Sequence, residues 1–552
     1  MDNVINIDVN WKTIGDLALW LKSGKFALPS FQREFVWRDG DIKEFVDSIL
    51  RGYPVGVVIL WKPSDISTVD PFSKPLVGND ISKAEYLILD GQQRLTAILL
   101  MYNDWLIKRL DEVVECTGLR YNPDSNRLTV GGKGGVDLSL ILRAVSGDGN
   151  AYRTLMDRYS HHGDKLLNLG NRIKNYKVPI YILETQDENE KITVSMTEAF
   201  IRINKEGVRI GSLELMLSYL GGYIGGEFSN RIRQMHNKYE KDISLSLQPL
   251  LRFVFSNFGI RMTDIKPENI KPVAERLKRI PISELKATLD NSQKSLDVLK
   301  EFLKHRLGIS NLEILPSQIT LIPIAKYFYT SDVSSLDTLS DKELEKIEKW
   351  FVLANFWGHY SSGTDRKLEK DLEVVKDADS FPLEKLLSNM KSFRTKTDIS
   401  YDDIKRGLYT NVLLKAGRNY LFILYVLLVK NNATNWAGKS LKDCNYKSLD
   451  KHHIFPREFL RERLEFESAD DEKVKINNLG NITFIDHEED IRISNRDPYE
   501  YLREYQSQLE KHFIPTNEEL WKVKNYEDYE DFLNERINLI YDAGKRFFDF
   551  FV

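Results

Sequence analysis

The residues best suited to chemistry lie near the C-terminus, where His452 and His453 stand side by side ahead of an apolar turn that ends at Pro456. A second turn, rich in asparagine, follows at 477–481. A neutral imidazole can take a proton from water. Nitrogen or oxygen ligands beside it can hold a divalent cation against a phosphate, and an asparagine can fix the loop that carries the histidine. The order of these residues therefore predicts metal-dependent hydrolysis of a phosphodiester.

This C-terminal motif resembles that of ββα-metal (HNH) nucleases, and the resemblance implies a role for each residue. His453 occupies the position of the general base, directly before the Ile-Phe-Pro turn, and His452 the position of a metal ligand. Asn481 matches the asparagine that steadies the loop, and Asp490 falls at the last metal-ligand position. The resemblance also implies a divalent metal as cofactor, with Mg²⁺ expected.

Asp490 is the one departure from the pattern of this family, which usually has asparagine or histidine there. A carboxylate is a good ligand for Mg²⁺, so the chemistry is retained. His487 and Asn495 are alternative ligands if the register of the motif is shifted. The segment that begins at Asn495 matches the C-terminal ending of the family, which favours Asp490. A chain with a decayed nuclease site, acting as a non-catalytic DNA- or nucleotide-binding regulator, is the alternative that this departure leaves open.

A second polar cluster, Asp90-Gly91-Gln92-Gln93-Arg94, lies between an apolar run and a stretch with helical periodicity. The N–H groups of a first helical turn are unpaired and bind anions readily. Gly91 permits close approach of a phosphate, Arg94 can neutralise it, and Asp90 can hold a metal or polarise water. Gln92 and Gln93 offer donors and acceptors to a nucleotide. An isolated junction of this kind is more often only a capped turn.

Two further polar clusters favour a functional role for residues 90–94 over a simple capped turn. Gln32-Arg33 precedes it among aromatic residues, and a segment that ends at Asn204 follows it. In this order the three motifs resemble the N-terminal domain of the GmrSD class of modification-dependent (type IV) restriction endonucleases. The resemblance implies a ParB/sulfiredoxin-like fold that binds and hydrolyses a nucleoside triphosphate, with Gln32, Arg33 and Asn204 joining residues 90–94. It does not distinguish GTP, UTP, CTP and ATP.

The elements that must position these residues fall into three regions of an α+β protein. Residues 1–215 have mixed α/β character and form the predicted nucleotide-binding sensor domain. Residues 216–400 are mostly helical and connect it to residues 401–552, the predicted HNH nuclease domain. The strand-like runs of the first region are 55–61, 86–89 and 178–183.

Composition excludes several classes of protein. The 552 residues carry 78 basic and 82 acidic side chains, a net charge of −4, so any DNA contact must be a local patch. Two cysteines exclude a disulfide framework and a cysteine-rich zinc site. No secretory signal is visible, and the strongly apolar run at 420–429 is well short of the ~20 residues that span a bilayer. A cytoplasmic protein without a membrane segment is expected.

Together these features predict an endonuclease of bacterial anti-phage defence that cuts double-stranded, modified DNA. Its HNH site would be licensed by binding or hydrolysis of a nucleoside triphosphate at the DGQQR site. A further alternative is a nuclease whose DGQQR domain serves only for dimerisation or DNA reading. The sequence leaves the modification and the oligomeric state open, a homodimer being one possibility.

Overall fold

The computed structural model describes residues 5–29, 35–66, 73–109, 112–132, 134–185, 226–265 and 269–552. Gln32, Arg33 and Asn204, three residues predicted for the nucleotide site, lie outside this part of the chain. The chain divides into two compact units, the first formed by 1–231 and 266–280, the second by 232–265 and 281–552. The predicted boundary at 215 falls outside the described residues and that at 400 lies within the second unit. The division into three domains stays a prediction.

Strands are concentrated in the first unit, where six of them form one sheet. Within the described residues the eleven strands of the first unit are β1 Ile5–Thr13, β2 Phe26–Leu28, β3 Val58–Lys62, β4 Lys74–Pro75, β5 Tyr86–Asp90, β6 Leu106–Arg109, β7 Glu112–Glu115, β8 Leu119–Asn122, β9 Arg127–Val130, β10 Val136–Asp137 and β11 Lys177–Thr185. The six-stranded sheet has the order β1-β11-β3-β5-β2-β4. β11 and β3 are parallel, whereas β1 runs antiparallel to β11, and β3 antiparallel to β5. The three strand-like runs of the sequence overlap the neighbouring strands β11, β3 and β5.

Helices make up much of the remaining described chain. They are α1 Ile14–Lys22, α2 Asp39–Arg51, α3 Gln92–Met101, α4 Leu138–Val145, α5 Gly149–Tyr159, α6 Gly163–Lys174, α7 Gly226–Ile243, α8 Leu247–Asn257, α9 Ile270–Lys278, α10 Ile282–Leu307, α11 Leu321–Thr330, α12 Asp341–Phe356, α13 Thr364–Val375, α14 Leu383–Ser392, α15 Tyr401–Lys405, α16 Arg418–Lys430, α17 Arg457–Arg461, α18 Ala469–Ile476, α19 His487–Ile493, α20 Pro498–Tyr501, α21 Gln506–Leu509 and α22 Tyr526–Phe547. None of these described helices is both long and apolar enough to cross a bilayer.

β5 and α3 form part of the apolar centre of the first unit. Leu87, Ile88 and Leu89 of β5 are all buried, as expected for an inner strand covered on both faces. Every residue of α3 except Arg94 is buried as well. The chain passes from β5 to α3 through Gly91 alone, so the turn that carries the polar motif is held by a buried element on each side.

The second unit is mostly helical and contains one small antiparallel sheet. Its strands are β12 Leu449–His453 and β13 Ile482–Asp486, and α19 follows β13 without a gap. In the register of this sheet His452 lies opposite Thr483 and His453 opposite Ile482. The mixed α/β first unit and helical second unit confirm the α+β class. The ParB/sulfiredoxin-like and HNH folds remain predictions; the two strands and the helix of an HNH motif would correspond to β12, β13 and α19, with α17 and α18 between the strands.

Candidate functional site

His452 is held by two partners from the C-terminal part of the second unit. Its Nε2 lies 3.1 Å from the hydroxyl of Tyr501, and that hydroxyl donates to the carbonyl of Ile454 at 2.6 Å. The only proton of the hydroxyl is thereby used, so the hydroxyl accepts a hydrogen bond from Nε2–H. The other ring nitrogen, Nδ1, lies 2.7 Å from Oδ1 of Asp490. Tyr501 therefore fixes the tautomer of His452 and turns Nδ1 towards a carboxylate.

The pair of His452 and Asp490 fits a divalent cation. Once Nε2 carries its proton, neutral imidazole presents a lone pair at Nδ1, and the carboxylate also presents lone pairs, so a proton or a cation must lie between them. When a proton lies between them, the hydrogen bond from His452 lowers the pKa of Asp490 against the opposing effect of burial, so this carboxyl is ionised at neutral pH. In the described part of the chain, no three His, Cys, Asp or Glu side chains converge on one metal position. Two protein ligands suit Mg²⁺, which commonly keeps several waters.

His453 faces away from its neighbour, as adjacent residues of a strand do. Its Nε2 lies 2.8 Å from Oδ1 of Asn477. An amide oxygen only accepts, so Nε2 carries the proton and Nδ1 carries the lone pair. Burial lowers the pKa of His453 to about 4, and the hydrogen bond to Asn477 opposes that shift only in part. The imidazole is therefore neutral at pH 7 and able to accept a proton.

Asn481 joins the turn after His453 to the second, asparagine-rich turn. It is fully buried. Its side-chain oxygen accepts from the N–H of Phe455 at 2.8 Å, and its amide donates to the carbonyls of Phe455 and Ile476 at 3.1 and 2.9 Å. Its backbone carbonyl accepts from Ile454 at 2.9 Å. These contacts are what an asparagine that fixes the histidine loop must make.

Among the three candidates for the last ligand, Asp490 is the one that contacts His452. His487 instead places Nδ1 2.7 Å from Oδ2 of Asp450, and its side chain is 67% exposed. Sequence reasoning assigned no role to Asn477 or Tyr501, although both lie within motifs that the HNH resemblance covers. Only their spatial relation to the histidines singles them out.

The N-terminal motif forms a strand–turn–helix junction in the first unit. Gly91 has φ +90° in the left-handed region, and a Cβ there would come within 3.0 Å of Val58, so glycine is required by both backbone and packing. Arg94 donates to Oδ2 of Asp90 at 2.9 Å and to the carbonyl of Val55 at 2.8 Å. The arginine expected to meet a phosphate is thus already paired within its own motif.

The two glutamines of this motif differ in their surroundings. Gln93 accepts hydrogen bonds at Oε1 from the backbone N–H groups of Val36 and Trp37, at 2.9 and 3.2 Å. It thereby ties the motif to the chain just after Gln32-Arg33. Gln92 is 4% exposed, and among the described residues neither its Oε1 nor its Nε2 has a hydrogen-bond partner. A buried amide without partners is costly, and a polar ligand at the turn would satisfy it.

The chain is similar to known proteins over the first unit and over most of its length. Residues 15–221 match the family model of the GmrSD restriction endonuclease, N-terminal domain. An uncharacterized protein of Methanocaldococcus jannaschii is 23% identical over 570 aligned positions, which cover 93% of this chain and 90% of that protein. The first unit thus belongs to a class of mixed α/β domains with a polar strand–glycine–helix turn. The family that residues 15–221 resemble is GmrSD, as the sequence motifs predict.

Proposed function

We propose that this chain is a modification-dependent endonuclease that cuts double-stranded DNA at the site of His452, His453, Asn481 and Asp490, licensed by a nucleoside triphosphate at residues 90–94. The observation that carries the nuclease assignment is the contact of Nδ1 of His452 with Asp490, with Tyr501 fixing the tautomer. This contact supplies a nitrogen and an oxygen ligand beside a neutral histidine. The family match at 15–221 supports the restriction role.

In this mechanism the chain's own groups position and deprotonate water. His453 accepts the proton of the attacking water at Nδ1, while Nε2–H stays bonded to Asn477. A pKa near 4 makes this imidazole a weak base in the free protein, and the negative charge of a bound phosphodiester would raise that pKa towards the working range. Asn481 keeps the loop after His453 in place. His452 and Asp490 would hold the divalent ion, which when bound stabilises negative charge on the phosphate and on the leaving oxygen.

In the first unit the nucleotide phosphates would meet the N-terminus of α3. The N–H groups of a first helical turn, which have no intrahelical acceptor, and the approach permitted by Gly91 suit an anion. Gln92, buried and without a hydrogen-bond partner in the described part of the chain, supplies a donor and an acceptor for the ligand. Arg94 would exchange part of its bond to Asp90 for a phosphate oxygen, so binding would rearrange an ion pair within the motif. Gln32, Arg33 and Asn204 complete the proposed site.

The test is cleavage of modified and unmodified phage DNA by the purified full chain, with and without Mg²⁺ and each of the four nucleotides. We expect metal-dependent cleavage that favours modified DNA and responds to a nucleotide. His161→Ala, at an exposed histidine of the first unit, is the matched control for histidine substitutions in the nuclease site. Absence of cleavage under all these conditions, with DNA or nucleotide still bound, would instead support the non-catalytic regulator. Cleavage without any nucleotide binding would leave a DNA-reading module joined to a nuclease.

A further inference from the structure

Strand β1 is exposed to an unusual degree for a nine-residue strand. It forms one edge of the six-stranded sheet, and in the described part of the chain no strand pairs with its outer edge. Ile7, Val9 and Trp11 lie on one face and are 63%, 49% and 64% exposed. Tyr181 of β11, which lies opposite Val9, extends this apolar face and is 37% exposed. An open apolar edge of this length is a template for pairing with another strand.

The opposite face of β1 carries complementary charges. Asp8 and Lys12 lie on that face, four residues apart, opposite the uncharged Ile182 and Val178 of β11. Within the chain Asp8 accepts from the amide of Asn10 at 2.6 Å, and Lys12 lies over the ring of Trp20 at 4.9 Å. Neither charge therefore has an opposite charge across the sheet, and both can pair with a strand added at the edge.

We propose that β1 pairs antiparallel with β1 of a second copy of this chain, about a twofold axis at Asn10. In this register Asp8 lies opposite Lys12 of the partner subunit, and Val9 lies opposite Trp11 of the partner subunit. The twofold axis repeats each pair, so the contact contains two ion pairs and two apolar pairs. Directly opposed residues of this kind are the units that stabilise a sheet. The result is one sheet continuous through both copies.

The sequence of β1 favours a second copy over an unrelated strand, because the strand is complementary to itself. A twofold axis moved by one residue, to Val9, would place Asp8 opposite Asn10 and Lys12 opposite Asn6, with no ion pair. A partner of different sequence has no reason to match both the charge spacing and the apolar spacing. Closed twofold pairing also protects the edge from open-ended association. The proposal concerns β1 alone and does not depend on the activity of either site.

The first test is the mass of the full-length protein in solution, measured by size-exclusion chromatography with light scattering over a range of concentrations. We expect a dimer for the wild type. Trp11→Glu should raise the dissociation constant at least ~10-fold, since it places a charge in the apolar pair. Leu19→Glu, at a 69% exposed apolar residue of α1, should leave the dimer unchanged. A monomeric wild type would overturn the proposal, as would a dimer unaffected by Trp11→Glu.

The second test addresses the register. Asp8→Lys and Lys12→Asp should each weaken the dimer by placing like charges opposite each other, and the double variant should restore it. A contact elsewhere on the chain would not show this restoration, so equal dimerisation by all three variants would overturn the proposal.

A third test does not require a variant that weakens association. Asn10→Cys should form a disulfide-linked dimer under mild oxidation, because the two cysteines would face each other across the axis. The wild type, with Cys116 and Cys444, should not. A folded Asn10→Cys protein that stays monomeric on non-reducing gels would reject the twofold axis at this residue. Circular dichroism checks that each variant is folded.

Discussion

Tyr501→Phe should damage metal binding at the nuclease site without touching a predicted ligand. Tyr501 is fully buried, accepts from Nε2 of His452 at 3.1 Å and donates to the carbonyl of Ile454 at 2.6 Å. Phenylalanine keeps the ring and removes both bonds. The Nε2–H of His452 then has no acceptor, and the ring can take the other tautomer, with a proton on the nitrogen that faces Asp490. That proton would compete directly with a cation.

The expected size follows from these two bonds. Leaving one buried donor or acceptor unsatisfied costs about 1–3 kcal/mol, so the loss of both bonds should lower the free energy of unfolding by about 2–6 kcal/mol. Loss of a group that orients a metal ligand typically costs about 10- to 100-fold in metal affinity or activity. We therefore expect Tyr501→Phe to need 10- to 100-fold more Mg²⁺ or Mn²⁺ for half-maximal cleavage.

The assay is a metal titration of plasmid cleavage, paired with the shift in melting temperature that Mn²⁺ produces in the absence of DNA. The second measurement reports metal binding independently of catalysis. Tyr499→Phe is a close control, since the Tyr499 hydroxyl accepts from Arg503 at 2.5 Å and no contact joins it to His452 within the described residues. A folded Tyr501→Phe protein with the metal dependence of the wild type would refute the argument that this hydroxyl sets the tautomer.

The remaining predictions concern four other residues. His453→Ala should lower cleavage by ~10²–10⁴-fold while nucleotide hydrolysis is retained; full cleavage by this folded variant would exclude it as the base. Asp490→Asn should keep much of the activity and Asp490→Ala should lose it, and wild-type rates from both would show that the ligand lies elsewhere. Arg94→Ala should weaken nucleotide affinity by ~10- to 100-fold in direct binding measurements, and unchanged affinity would show that its bond to Asp90 is only structural. His512 is fully buried, and burial lowers its pKa to about 3. Below pH ~6.5 the unfolded chain therefore binds a proton at this histidine that the folded chain does not, and the free energy of unfolding should fall by up to ~1.4 kcal/mol per pH unit from pH 6.5 towards 3. Urea titrations would measure this fall, which His512→Gln should reduce.

The local sequence is sufficient to predict those parts of the fold that depend only on neighbouring residues. The apolar run before Asp90, the glycine after it and the helical periodicity that follows predict the strand–turn–helix junction, and each of these signals acts over a few residues. The strand-like runs at 55–61, 86–89 and 178–183 were recognised in the same way. The similarity of residues 15–221 to the GmrSD N-terminal domain is also predicted by the motifs, since their order along the chain is itself a property of the sequence.

The partners of the candidate site residues were decided only by the tertiary structure. Tyr501 meets His452 across 49 positions and Asn477 meets His453 across 24, separations at which periodicity carries no information. Arg94 was expected to be available to a phosphate, yet packing brings Asp90 and the carbonyl of Val55 to its guanidinium.

Strand β1 shows the same division between sequence and structure. Its alternation of apolar and polar residues is typical of a strand with one face in a core, whereas both its faces reach solvent at Val9 and Asn10. The sequence determines which residues share a face, because side chains alternate along any strand. Whether that face is covered depends on where the strand lies in the sheet, and β1 lies at its edge.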